Sequence, residues 1–285
     1  MKRLGLLLML VLVPGCSNVT PPIRATFYYP WYPETWSTSG HHVFYHPTLG
    51  YYSSDERAVV DAHIKALDYG RFDLSIASWW GQGHQSEQTR IPLLLDRTKA
   101  LGSDLKWTLY YEKEGQGSPS VAELQGDLAY INQRYAEHPG FAWMNNKPVI
   151  FVYGQGESCE TVSRWKQAAR SNWYVVLKVF HGHLSCPSQP DAWHQYGPTS
   201  AAQVHRDSYV ISPGFWHAGE PQPRLARDPA RWGQNIRDMI ASGKPLQIVT
   251  TFNEWGEGTA IEEATEWQTG FEGAYLDALH RNGSN

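Results

Sequence analysis

The chain has 285 residues, 41% hydrophobic and 18% charged, which is enough apolar material for a full core and too little charge for a disordered chain. Its net charge of −4 excludes the basic footprint of a nucleic-acid binder and a polybasic membrane patch. The outlying figure is aromatic, at 13% with 13 Trp and 16 Tyr, a supply that suits core filling or the stacking of sugar rings.

The chain opens on MKRLGLLLMLVLVPGC. A Lys-Arg start, an apolar run from Leu4 to Val13 too short to span a bilayer permanently, and Pro-Gly-Cys read together as an export signal. Its ending resembles a bacterial lipoprotein signal, which would make Cys16 the lipid-modified first residue of the mature protein; an ordinary cleaved secretion signal is the alternative. Residues 1–15 are thus set apart as signal peptide, 16–23 as linker, and 24–285 as one folded domain. The expected location is the bacterial cell envelope, with the lipid as the only membrane attachment. In an exported chain the two remaining cysteines, Cys159 and Cys186, are expected to form a disulfide. No Cys-x-x-Cys or His-Glu-x-x-His occurs and the 12 histidines are scattered apart from His41-His42 and His181/His183, so a zinc site is poorly supported.

From residue 25 onward, strand-like and helix-like segments alternate. ATFYYPWY (25–32) reads as the first strand, followed by a loop with Gly40, His41, His42 and His46. SSDERAVVDAHIKALDYG is a helix capped by Ser54 or Asp55. FDLSIASWWG (72–81), LKWTLYYE (105–112), KPVIFVYG (147–154) and WYVVLKVF (173–180) are the next four strands, with helical stretches between them. A short sixth strand is expected at 193–196, a seventh at 207–216, a helix at DPARWGQNIRDMIASG with Asp228 as cap and Pro229 at its first position, and an eighth strand in PLQIVTTFNEW. Eight strand–helix repeats without a composition break predict an α/β fold, a single (β/α)8 TIM barrel. A doubly wound open sheet is the runner-up, but no Gly-x-Gly-x-x-Gly follows the first strand.

In a barrel of this kind the active site lies at the C-terminal strand ends. Those ends here carry Tyr28, Tyr29, Trp31 and Tyr32; Trp79 and Trp80; Tyr110, Tyr111 and Glu112; Tyr153; Phe215, Trp216 and His217; and Asn253, Glu254, Trp255 and Glu257. About half of these aromatics should be core by alternation. Glu114 reads as a solvated loop charge, and Glu262, Glu263 and Glu266 as charges favoured at a helix start. Glu112, an acid closing a hydrophobic strand, is costly to bury without a use. Glu254 and Glu257 sit across one tight turn that Gly256 and Gly258 permit. Two carboxyl groups in a tryptophan-lined site cannot both ionise freely. One can therefore protonate a leaving glycosidic oxygen while the other acts near the anomeric carbon. Stereochemistry is not derivable from this spacing.

FNEWGEGTAIE resembles the signature near the end of glycoside hydrolase family 99, the endo-α-mannosidases, endo-α-mannanases and their relatives. The likeness extends to YYPWY, HPTLGYYSSD, FDLSIASWWG, TLYYE and the DPARW helix, in the same order across 25–267. It implies the barrel and a retaining hydrolase of α-mannosidic or related α-glycosidic bonds. It implies Glu254 as base on the substrate's own 2-hydroxyl, Glu257 as general acid and later base, and Glu112 as a partner of sugar hydroxyls. It also implies that Trp80 stacks on a neighbouring sugar and that Tyr29 and His46 touch substrate; Asn253, Trp255, Tyr111 and Trp216 complete the expected binding set. Family members often carry histidine between the glutamates, where this chain has Trp255-Gly256. The resemblance implies an oligosaccharide or polysaccharide as partner and calls for no metal or organic cofactor. The alternatives are a non-catalytic glycan-binding lipoprotein, a related polysaccharide-synthesis enzyme, and a metal-dependent hydrolase using His181, His183 or His217. The presence of both glutamates argues against the first, and the lack of a phosphate-cradling loop argues against the second.

Overall fold

The computed structural model describes residues 18–37, 43–84, 86–154 and 157–284. The signal segment, the lipidation candidate Cys16 and the loop residues Gly40, His41 and His42 lie outside the described residues.

Among the described residues ten strands build one sheet: β1 (Ile23–Tyr28), β2 (Leu74–Trp79), β3 (Lys106–Tyr111), β4 (Trp143–Met144), β5 (Lys147–Val152), β6 (Tyr174–Lys178), β7 (Ala192–His194), β8 (Ala202–Val204), β9 (Ser208–Ile211) and β10 (Leu246–Val249). Their order is β7-β6-β5-β3-β2-β1-β10-β9-β8, with β4 paired to β5. The eight expected strands all appear, shorter than read, and all eight run parallel. Their near-continuous apolar runs follow from burial on both faces. Ile23, Ala25, Phe27 and Tyr29 share one apolar cluster with Leu74, Ile76, Tyr110, Phe151 and Val176, inside the curl of the sheet. Tyr28, Trp79, Trp107 and Tyr111 belong to the other cluster, between sheet and helices.

The expectation of a closed barrel is corrected. No ladder joins β7 to β9, because β8 turns back antiparallel onto β9, pairing Ala202 with Ile211 and Val204 with Tyr209. That hairpin occupies the edge of β9 that closure would offer to β7. The seam is crossed instead by side chains: Asp207 Oδ2 accepts from the Trp193 N–H at 2.9 Å, and Thr250 Oγ1 donates to the Tyr196 carbonyl at 2.7 Å. The result is a barrel-like, curled α/β sheet.

The helices are α1 (Glu34–Ser37), α2 (Arg57–Tyr69), α3 (Ile91–Leu101), α4 (Val121–Ile131), α5 (Cys159–Ala169), α6 (Pro229–Ala241) and α7 (Ala274–His280). Asp228 caps α6 as read, accepting from the Ala230 and Arg231 amides. At α2 the cap position belongs to Glu56, without a side-chain cap bond. Asp55 is drawn off to Arg90, at 2.8 Å, where a bidentate cation outcompetes a helix amide. Cys159, the first residue of α5, is disulfide-bonded to Cys186 in the loop after β6. Glu114, read as solvated, is buried with Arg164 and takes the Trp165 indole N–H at 2.9 Å.

Candidate active site

Alternation decides which strand-end residues enter the bowl. Tyr29 continues the inner row Ala25–Phe27, Glu112 follows Tyr110, and Tyr196 follows His194. Tyr111 falls on the opposite face, so its expected substrate contact is corrected. Its hydroxyl donates to Asp127 Oδ2 at 2.7 Å and its ring packs edge-on against Trp165 at 5.0 Å, behind the sheet. Trp80 is half-buried on the inner side, 6.5 Å from Trp31, which stacks on Tyr29 at 4.4 Å.

The turn after β10 is cross-tied along its whole length. Glu254 N–H donates to Thr251 Oγ1, Gly258 N–H to the Trp255 carbonyl, and Thr259 N–H to the Glu254 carbonyl. The segment after β9 clamps the outside: Trp216 N–H donates to the Glu257 carbonyl and Ala218 N–H to that of Gly256, each at 2.8 Å. Gly258 has φ +62°, and a Cβ there would lie 2.9 Å from the Trp216 carbonyl oxygen, so only glycine lets these segments meet. Arg227 Nη2 donates to the carbonyls of Gly258 and Ala260, at 2.8 and 2.7 Å.

Two expected binding residues turn out to be part of this frame. Asn253 is fully buried; its Oδ1 accepts from the Tyr29 N–H at 2.7 Å and its Nδ2 donates back to the Tyr29 carbonyl at 3.1 Å. It therefore splices strand one to strand eight, and its amide is taken up by the Tyr29 backbone and the Tyr52 hydroxyl. Trp255 is 1% exposed, with its indole N–H directed at the Tyr52 hydroxyl and Glu262, although its ring backs the cavity. His46 lies 57% exposed, with Nδ1 2.6 Å from Glu266, and does not line the cavity over the turn.

A cavity of about 250 Å³ opens over the turn, lined by Trp31, Tyr32, Thr35, Trp36, Val43, His217 and residues 254–257. Trp216, the residue before His217, is stacked on Phe44 at 3.8 Å. Glu254 is buried, and Gly256 N–H donates to its Oε1 at 3.0 Å. Glu257 is half-buried and its Oε2 accepts from the Tyr196 hydroxyl at 2.6 Å. Desolvation, reinforced by the charge of Glu257, lifts Glu254 well above the carboxylate range. Glu257 is also raised by burial, but the Tyr196 hydroxyl holds it down. Glu112, 5% exposed and bonded to the Ser78 hydroxyl at 2.9 Å, is pushed by desolvation to about 8. Burial also raises Tyr29 and Tyr196, and Glu112, Glu254 and Glu257 act on Tyr29 in turn. Three acids therefore lie within electrostatic reach of one neutral phenol. An arrangement of this kind can keep one carboxyl protonated beside an ionised one at neutral pH, in a site with aromatic walls.

Sequence reading missed Tyr196, Lys178, Trp36 and the buried role of Glu262. Tyr196 could have been found, since it ends the short sixth strand on the same parity as its inward residues. Lys178 could have been found in the same way; its Nζ donates to the Gly154 carbonyl at 2.8 Å, with Glu112 and Glu157 within electrostatic reach. Nothing local marked Glu262, whose partners come from 52, 63 and 255. Among the described residues no group of three or more His, Cys, Asp or Glu could hold a metal.

Residues 35–172 match the model for glycosyl hydrolase family 99, a span that ends before the strand-eight turn. The chain is 22% identical over 273 residues to the glycoprotein endo-alpha-1,2-mannosidase of Xenopus laevis, covering 79% of this chain and 59% of that protein. For the Mus musculus protein of the same description the figures are 24%, 79% and 58%. The chain thus spans less than two thirds of the length of these curated relatives. Among solved structures, the GH99 endo-alpha-mannosidase from Bacteroides thetaiotaomicron is similar with a TM-score of 0.67 at 19% identity, covering 91% of this chain and 95% of that one. Its complex with bis-tris-propane gives 0.70 at 20%, covering 93% and 96%. At such identities the likeness is one of fold.

Proposed function

We propose that this family-99-like chain is a glycoside hydrolase that cleaves α-mannosidic or related α-glycosidic bonds with retention. The observation that carries the reading is the pair of carboxyl groups, Glu254 and Glu257, on one cross-tied turn facing an aromatic cavity, both with raised pKa. Glycosidic cleavage needs a proton for the leaving oxygen and a basic group near the anomeric carbon, and two close carboxyls in a dry site divide those tasks.

In this mechanism Glu257 donates its proton to the leaving-group oxygen, with the Tyr196 bond occupying Oε2 and leaving Oε1 for the transfer. Glu254 removes the proton of the sugar's 2-hydroxyl, whose oxygen attacks the anomeric carbon as the glycosidic bond breaks. The resulting epoxide-like intermediate is opened by a water that the Glu257 carboxylate deprotonates, while Glu254 returns its proton to the 2-oxygen. Glu112 binds sugar hydroxyls, Trp80 and Trp216 offer stacking faces, and Tyr29 lies within electrostatic reach of all three acids. The division of roles rests on the family signature, whereas the electrostatics require only that one member be protonated. The deciding experiment is incubation of residues 20–285 with α-mannans, α-glucans and α-mannosyl oligosaccharides beside a Glu254→Gln/Glu257→Gln double variant. Oligosaccharide release by the wild type alone is expected. Glycan binding by both forms without release would replace the hydrolase with a glycan-binding protein.

The site also belongs, in this proposal, to an exported protein anchored through a lipid on Cys16 and folded as one domain, whose first strand begins at Ile23, one residue before the expected boundary. The Cys159–Cys186 disulfide supports an oxidising compartment. Cys16→Ser is expected to move the protein from the membrane to the soluble fraction; unchanged fractionation would remove the anchor.

A further inference from the structure

Behind the strand-eight turn lies a buried polar chain that the proposed reaction does not use. His63 on α2 is 0% exposed and Glu262 is 4% exposed, 199 residues apart in sequence. His63 Nδ1 lies 2.9 Å from the Tyr28 hydroxyl and Nε2 lies 3.2 Å from Glu262 Oε1. Glu262 Oε2 accepts from the Tyr52 hydroxyl at 2.7 Å and from the Trp255 indole N–H at 3.2 Å. The Tyr52 oxygen in turn receives the Trp255 N–H at 3.2 Å and Asn253 Nδ2 at 3.4 Å. Tyr28 holds its proton, because burial and the nearby Glu262 raise it far above the ordinary tyrosine value. Donor and acceptor counts then close one way: Tyr28 donates to Nδ1, the Nε2–H donates to Glu262, and Glu262 accepts from three groups.

We propose that His63 and Glu262 form a positioning dyad that fixes both neighbours of Glu254. Trp255 is held through its indole, and Asn253 through Tyr52, so the dyad sets where the Glu254 and Glu257 carboxyls stand relative to Tyr29. A buried, fully satisfied network specifies one geometry, and removing a single acceptor leaves buried donors facing nothing. Neither dyad residue touches the cavity, so the effect reaches the reaction only through position.

This inference rests on the hydrolase reading, and the experiment separates the two. Glu262→Gln puts an amide N–H among donors, and Tyr52→Phe keeps the ring while deleting one hydroxyl. Both are measured well below their melting temperatures, with KM and kcat resolved, on substrates with poor and activated leaving groups. The expected result for Glu262→Gln is a kcat loss on the order of ten- to a hundredfold, as small misplacements of reacting groups produce, with KM within about twofold and equal loss on both substrates. Tyr52→Phe should lose less, and Glu262→Asp should recover part of the rate. The loss should be less than additive with Asn253→Ala, since both act on the same segment. Unchanged kcat in folded Glu262→Gln would overturn the dyad. Should the wild type turn over no glycan, the hydrolase reading fails by itself, and the dyad is read from the ¹⁵N resonances of the His63 ring. A proton on Nε2 that redistributes in Glu262→Gln supports it; identical ring resonances in the two proteins overturn it.

Discussion

The acids of the bowl are held in two contrasting ways. At the end of β10, Glu254 and Glu257 sit on a turn whose backbone is bonded to itself, to the segment after β9 and, through Asn253, to strand one. At the end of β3, the Glu112 carboxyl has one hydroxyl, that of Ser78, as its hydrogen-bond donor. The first region fixes position by covalent continuity and many neutral bonds, so its charges are free to change during a reaction. In the second region the charge state itself is the adjustable quantity, because desolvation is opposed only by that hydroxyl and by the charge of Lys178. Geometry should therefore dominate variants of the turn, and pH should dominate variants near Glu112.

The largest effect is expected within the turn. Glu257→Gln should lower kcat by roughly 10²–10⁴-fold on a sugar with a poor leaving group, the range for losing a general acid. An activated aryl leaving group needs no proton, so the loss there should be far smaller. Steady-state kinetics on the two substrates checks this; equal losses would deny Glu257 the acid role. If Glu254→Gln instead shows the leaving-group dependence, the two carboxyls exchange roles, a sharp test because both are raised in the same direction.

At Glu112 the contrast predicts a pH effect on stability. Its folded pKa, about 8, lies above the ordinary 4.5, so the folded state binds more protons between those values. Its stabilising contribution is present below about 4.5 and is lost as pH rises through about 8, on the order of a few kcal/mol before relaxation is allowed for. Glu112→Gln, which cannot ionise, should flatten the decline in melting temperature across that window. The residual slope would belong to Glu254 and Glu257, raised in the same direction. An unchanged slope would mean that Glu112 is hydrated and that the two regions do not differ as described.

The same contrast marks how far the sequence could be read. Strand positions were legible because parallel strands buried on both faces are written as apolar runs such as LSIASW and VIFV. The strand-eight turn was legible because its residues are contiguous. What alternation alone decides was only half legible: Tyr110, Tyr111 and Glu112 are neighbours, yet Tyr111 belongs to the helix side. The open seam was not legible, since whether β9 pairs with β7 or β8 depends on edges that never meet in sequence. Glu262 was misread for the same reason. Its charge suits a helix start, but its partners His63 and Tyr52 lie far upstream.

The smallest effect isolates the single bond on which Glu112 depends. Ser78 is buried and its hydroxyl donates to Glu112 Oε1, which lowers the carboxyl's pKa against the pull of desolvation. Ser78→Ala removes that donor without adding volume, so the Glu112 pKa should move further up. Stability near pH 7 should fall by about 1 kcal/mol, the usual net value of one such bond, and the high-pH end of the stability decline should shift to higher pH. Thermal unfolding between pH 5 and 9 is the measurement. By contrast, losing a tie of the strand-eight turn that does not touch a carboxyl, such as that from the Glu254 N–H to Thr251 Oγ1, should leave the pH dependence where it is, because the remaining ties still fix the carboxyls. A Ser78→Ala profile that drops uniformly at all pH values would mean that the hydroxyl stabilises packing alone. Glu112 would then be held by shape, as Glu254 is, and not by charge.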